Sequence, residues 1–180
     1  MKPALTTRRQ RVESAATNDM NASTKAIPDG YDALIPYLVV RGAVKAIDWY
    51  KEVFGATEHL RMPYPEKPDM LMHAEIQIRG HYLMLGDENP QFNCLSPLSL
   101  NGPSPASVMI YVPDVDATFA KAQAAGAKVV MPPADMFWGD RYGKFSDPFG
   151  HQWAVATHTR DLSPEEIAQG AAEAFKQKSG

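Results

Sequence analysis

The chain has 180 residues, 44% hydrophobic and 22% charged, an ordinary globular composition for which one domain is the default. A net charge of -3 gives no basic footprint for nucleic acid, and no apolar run approaches the roughly 20 residues that a membrane span needs. The single cysteine, Cys94, excludes an internal disulfide and fits a reducing, cytoplasmic setting.

Residues 1–30 are polar and carry Arg8, Arg9 and Arg11 with no apolar stretch after them. A flexible tail is expected there, and a secretory signal is not. "ALIPYLVV" then reads as a short apolar strand. "AVKAIDWYKEVFGA" follows with Val44, Ile47 and Phe54 at helical spacing and Gly55 as its stop. "TEHLRMPYP", "MLMHAEIQIRG" and "HYLMLGDE" read as three strands. In the middle one, Met72, Ala74, Ile76 and Ile78 should face the helix. His73, Glu75, Gln77 and Arg79 should face a cavity or a subunit seam.

Four prolines between Pro90 and Pro105 make the next stretch an irregular linker, in the role of a lid or a plain connector. Then the plan repeats. "ASVMIYV" is a strand, and "DVDATFAKAQAAGA" is a helix with Val115, Phe119 and Ala122 on one face. "KVVMPPADMF", "RYGKFSD" and "HQWAVATH" are three more strands. The helix-ending glycines Gly55 and Gly126 lie 71 residues apart, and the turns Gly80-His81 and Gly150-His151 lie 70 apart. Such spacing predicts a duplicated βαβββ module, over 34–88 and 106–158 of a domain spanning 31–160. Over 161–180, Ser163 as N-cap, Pro164 and Glu166 predict a terminal helix.

Three runs, "AIDWYKEVFGA", "YVPDVDATFAKAQAAGA" and "WGDRYGKFSDPFGHQWAVATH", resemble the vicinal oxygen chelate superfamily of glyoxalases, extradiol dioxygenases, fosfomycin-resistance enzymes and bleomycin-resistance proteins. The last run is similar to the PhnB-like subgroup. The resemblance implies an α+β fold in which two tandem modules form a curved mixed sheet around a cavity. Helices would lie outside, and a homodimer would complete the cavity. Metal-using members carry one ligand on the first and last strand of each module. Counted from the helix-ending glycines, those positions fall on Ile35 (or Pro36), Met84, Ser107 and Ala154. They offer no set of oxygen or nitrogen donors suited to a divalent ion, so neither a metal nor another cofactor is expected.

The expected reading is therefore a protein that binds a small organic molecule in a metal-free cavity lined by Tyr37, His73, Glu75, Met84, Met109, Tyr111 and Trp138. Arg141 offers a planar fork for an anionic ligand, or a scaffold contact. Two alternatives stand beside this reading. His73 and Glu75, two apart on one strand, could serve a metal-independent lyase or isomerase as base and orienting partner, or form only a polar surface pair. A conventional metal-dependent lactoylglutathione lyase or dioxygenase is the other. His81 and His151 look like equivalent turn residues, His59 and His158 like surface residues, and Cys94 like a free thiol.

Overall fold

The computed structural model describes residues 24–100, 102 and 104–177. Most of the expected N-terminal tail lies outside the described residues. Thr24–Gly30 is irregular, with Lys25 paired to Asp29 at 2.6 Å. From Tyr31 onward the chain follows the duplicated plan. The first module is β1 (Tyr37–Val40), α1 (Ala43–Phe54), β2 (Thr57–Tyr64), β3 (Lys67–Ile78) and β4 (His81–Asp87). The second is β5 (Ser107–Tyr111), α2 (Val115–Ala124), β6 (Lys128–Asp135), β7 (Asp140–Ser146) and β8 (Gln152–His158), followed by α3 (Pro164–Gln177). Each module makes one mixed sheet, in the orders β1-β4-β3-β2 and β5-β8-β7-β6, with its first strand parallel to its last. Among its described residues the linker between them contains a 3-10 turn at Pro90–Phe92, closed by an isolated bridge between Asn89 and Cys94, and a turn at Ser96–Leu100.

Period-two alternation gives each sheet a helix-covered face and an open face. Leu38 and Val40 of β1, Ala74 and Ile76 of β3, and Leu83 and Leu85 of β4 are buried with Ile47, Tyr50 and Val53 of α1 in one core. The open face receives Tyr37 and Val39, His73, Glu75 and Gln77, and Tyr82 and Met84. Two positions depart from strict alternation. A register break between β2 and β3 at Met62 and Pro63 turns Leu71 into the core and leaves Met72 41% exposed, so Met72 does not face the helix. Arg79 sits in the β3–β4 turn at φ 53, beside Gly80, and not on the strand face. In β6 the pair Pro132-Pro133 falls where pairing with β7 slips, on an edge strand that tolerates lost N–H donors.

Two buried carboxylates hold the frame. Asp87, at the end of β4, accepts the N–H groups of Gly42 (2.7 Å) and Ala43 (3.0 Å) at the start of α1 and of Leu71 (2.8 Å) at the β3 bulge. It supplies the cap that Gly42 has no side chain to provide. Asp147 accepts four bonds: Tyr50 Oη (2.8 Å), Trp153 Nε1 (3.0 Å), and the N–H groups of Phe149 and His151 (2.9 Å each). It thereby ties α1 of the first module to the closing turn of the second. Trp49 Nε1 donates to Ala125 O, and His151 Nε2 to Val39 O, each at 2.9 Å across the same seam. Phe54 packs on Trp153 with ring centroids 4.5 Å apart.

Asp147→Ala would leave four donors without their acceptor in the core. It should cost about 3–5 kcal/mol in urea unfolding, against about 1–2 kcal/mol for Tyr50→Phe. Equal small losses would show that the seam is held by apolar packing alone.

Candidate functional site

The open face of the first module gathers a polar cluster on an otherwise apolar floor. Glu75 is only 6% exposed, although it points away from the core. Tyr31, from the segment before β1, lies over it. The Tyr31 ring stacks on Tyr82 at 4.2 Å, and its hydroxyl donates to Glu75 Oε2 at 2.5 Å. His73 Nε2 lies 3.1 Å from the other carboxylate oxygen, and His73 Nδ1 lies 3.3 Å from Tyr37 Oη. Burial raises the Glu75 pKa, but the bonds from Tyr31 and His73 outweigh it and hold the group below its ordinary range. The same bond pushes Tyr31 up to about 12. Glu75 is therefore an ionised acceptor with both oxygens engaged, and Tyr31 remains a donor. Met84 lies opposite Tyr37 in the β1–β4 ladder.

The second module builds its cluster around Asp140, 3% exposed at the start of β7. Tyr111 Oη (2.9 Å) and Trp138 Nε1 (3.0 Å) donate to one oxygen, and His158 Nδ1 lies 2.8 Å from the other. His158 Nε2 lies 3.0 Å from Asp161, on the segment leading into α3. Asp161 and Asp140 together raise the His158 pKa. His158 is thus no unpartnered surface residue; it bridges two carboxylates. His81 and His151, equivalent in sequence, also differ: His81 meets Asp32 on the surface, whereas His151 is buried at the seam. His59 is exposed and packs edge-on to Tyr82, and Cys94 is an exposed free thiol.

Of the residues expected to line one cavity, Tyr37, Met109, Tyr111 and Trp138 divide among three, and His73, Glu75 and Met84 line none of these. Tyr37 and Met109 line a cavity of about 400 Å³ with Ser107 and Gln152. Met109 and Tyr111 line a cleft of about 730 Å³ with Leu34 and Tyr82, where the modules meet. Trp138 lines a third, of about 980 Å³, under α3. Arg141 enters none of them. It alternates with Asp140 and Tyr142, so it projects to the α2 side, where Asp116 takes it at 2.6 Å and Asp135 at 3.3 Å. Sequence reasoning missed Tyr31 as a site residue, and missed the cluster that forms around Asp140. Tyr31 lies outside any periodic element, and the donors to Asp140 come from three separate stretches of sequence.

The four positions that the resemblance assigns to metal ligands carry no set of donors suited to a divalent ion, and Ile35 precedes β1 instead of lying on it. Met84 supplies a thioether, Ser107 a neutral hydroxyl, and Ile35 and Ala154 nothing. Ala154 pairs with Met109 in the β5–β8 ladder. Among the described residues, no three His, Cys, Asp or Glu side chains stand together as a metal site.

Residues 33–155 match the family model described as the glyoxalase/bleomycin resistance protein/dioxygenase superfamily. An uncharacterized protein of Mycobacterium bovis is 44% identical over 138 residues, covering 75% of this chain and 89% of that protein. Among solved structures, protein PA1353 of Pseudomonas aeruginosa is 26% identical with a TM-score of 0.58, covering 71% of this chain and 98% of its own. TioX of Micromonospora sp. ML1 is 29% identical with a TM-score of 0.55, at the same coverage.

Because the folded-state pKa of His158 lies above its ordinary 6.5, its stabilising effect is full below that value and lost as pH rises through the raised one. The stability difference between the native chain and His158→Gln should be larger at about pH 5 than at about pH 9. A difference that does not change with pH would remove the bridge between Asp140 and Asp161.

Proposed function

Because this chain belongs to the glyoxalase/bleomycin resistance protein/dioxygenase superfamily, we propose that it binds a small organic molecule on the open faces of its sheets without a metal ion. The observation that carries this reading is the residue set Ile35, Met84, Ser107 and Ala154 at the family's ligand positions. It replaces metal donors with apolar and sulfur surface, which suits the body of an organic ligand. Tyr37, Tyr111 and the Glu75–His73 pair supply the few polar groups that would orient it. The runs around Trp138–Arg141 and Asp147–His151 support a PhnB-like placement within the superfamily.

A homodimer belongs to the same proposal. Tyr37 and Tyr111 are 50% and 52% exposed on the open faces, alongside Met62 and Met109. A second copy of the chain would cover that surface and close the cavity.

One observation favours a second reading. Glu75 and His73 form a hydrogen-bonded pair at the floor of the open face, and a metal-independent lyase or isomerase could use them. The depressed Glu75 pKa makes the carboxylate a weak base, so binding stands first.

Zinc, nickel, iron or manganese salts and a chelator should leave the melting temperature unchanged, and a screened aromatic or apolar compound should raise it. Stabilisation by one equivalent of a divalent metal would instead restore the metal-dependent lyase or dioxygenase reading. Once a ligand is found, Glu75→Gln should weaken binding about tenfold. If the variant bound normally but lost turnover of that compound, the enzyme reading would replace the binding one.

A further inference from the structure

The Glu75–His73 pair has a third member, Tyr37, and the three stand in a definite order. Glu75 is 6% exposed, His73 is half-buried and Tyr37 is 50% exposed. They are joined end to end. Glu75 Oε1 lies 3.1 Å from His73 Nε2, and His73 Nδ1 lies 3.3 Å from Tyr37 Oη. The His73 and Tyr37 rings lie 26° from parallel, with centroids 5.7 Å apart. The chain of bonds runs from a buried carboxylate, through an imidazole, to a hydroxyl on the open face.

The anion at the inner end sets the direction of each bond. Ionised Glu75 can only accept, so Nε2 of a neutral His73 carries the ring proton. Nδ1 is left with a lone pair, and the Tyr37 hydroxyl donates to it. Tyr31 holds the other carboxylate oxygen while its own ring is stacked on Tyr82, which keeps Glu75 turned to His73. At the outer end, Gly86 of β4 lets the phenol cross. A Cβ there would stand 2.8 Å from Met72 O and 3.0 Å from Tyr37 Oη. With no side chain at that point, Tyr37 reaches from β1 over β4 to His73 on β3. Partial burial raises the Tyr37 pKa, so the phenol keeps its proton at neutral pH. It becomes a nucleophile only if a base takes that proton during attack, and His73 is the base in reach.

We propose that Tyr37, His73 and Glu75 form a nucleophilic triad in which the Tyr37 hydroxyl takes an acyl group from an activated ester. Tyr37 Oη bonds to the acyl carbon as its proton passes to His73 Nδ1. The bond from that carbon to the leaving oxygen breaks, and the leaving group departs with the electron pair. Glu75 stabilises the imidazolium that results, and the product is an ester of Tyr37. Tyr37 and His73 touch the reacting atoms, whereas Glu75, Tyr31 and Gly86 position them. This extends the metal-independent enzyme reading from a base pair to a nucleophile. It is read on Tyr37 itself: the ligand screen can fail while Tyr37 reacts, and succeed while Tyr37 stays inert.

The test treats the full chain with 4-nitrophenyl acetate, follows nitrophenolate release and maps the acetyl groups by peptide mass spectrometry. Tyr111 is the internal control. It is 52% exposed, but its hydroxyl donates to Asp140 and not to an imidazole. Both tyrosines lie on the open faces that the proposed dimer would enclose, so assembly affects both. Tyr37 should be acetylated about tenfold or more faster than Tyr111, and Tyr37→Phe should remove the matching fast release of nitrophenolate. His73→Gln and Glu75→Gln should slow Tyr37 toward the Tyr111 rate and leave Tyr111 unchanged, a split that loss of the fold would not produce. If either variant fails to fold, the native ratio of the two rates and Tyr37→Phe decide. Equal rates at Tyr37 and Tyr111, a fast release that survives Tyr37→Phe, or an unchanged Tyr37 rate in a folded His73→Gln would overturn the proposal.

Discussion

The frame depends on Asp147. Its side chain sits in the core and accepts from two backbone N–H groups of its own turn, from Trp153 on β8 and from Tyr50 on α1. A buried carboxylate is tolerated only when its acceptor capacity is filled, and here it is filled by donors from both modules. The bond to Tyr50 raises the tyrosine pKa well above its ordinary value, burial being the larger cause, so the phenol stays a donor. One residue thus shapes the closing turn, orients the last strand and fixes α1 against the second module. With α1 and α2 committed to the core, the other face of each sheet stays open to contacts from outside its module.

Four carboxylates of similar burial divide into two kinds by what they accept. Asp87 takes only backbone N–H groups, and Asp147 takes two of them besides its aromatic donors. Removing either would unmake a helix start or a turn. Glu75 and Asp140 take only side chains: phenols, an indole and imidazoles. Losing one of these partners would leave no backbone N–H without its acceptor. Among the described residues no buried side-chain polar atom lacks a partner, so the sorting is complete.

The duplicated modules were legible because glycine spacing and period-two alternation are local signals; β2 through β8 and both module helices form close to where they were expected, whereas β1 is half the expected length and starts at Tyr37, which leaves Ile35 off the strand. The C-terminal helix was legible from Ser163 and Glu166, which form the reciprocal capping bonds at 3.2 and 2.7 Å. Alternation failed at Met72, where a bulge set by the partner strand shifts the phase, a fact that no single strand carries. Arg141 was read with its neighbours in "WGDRYG", yet the same alternation that places Asp140 on the open face sends Arg141 to α2. The connections His158–Asp140 and Tyr31–Glu75 join residues 18 and 44 apart. They became visible only once β7 lay beside β8, and Tyr31 over β3.

Native mass spectrometry of the freshly purified chain tests most directly whether this superfamily member works without a metal. The expected spectrum is a dimer carrying no divalent ion, with an organic adduct that leaves on activation. A spectrum in which each subunit retains one zinc, nickel, iron or manganese ion through a chelator wash would contradict the account.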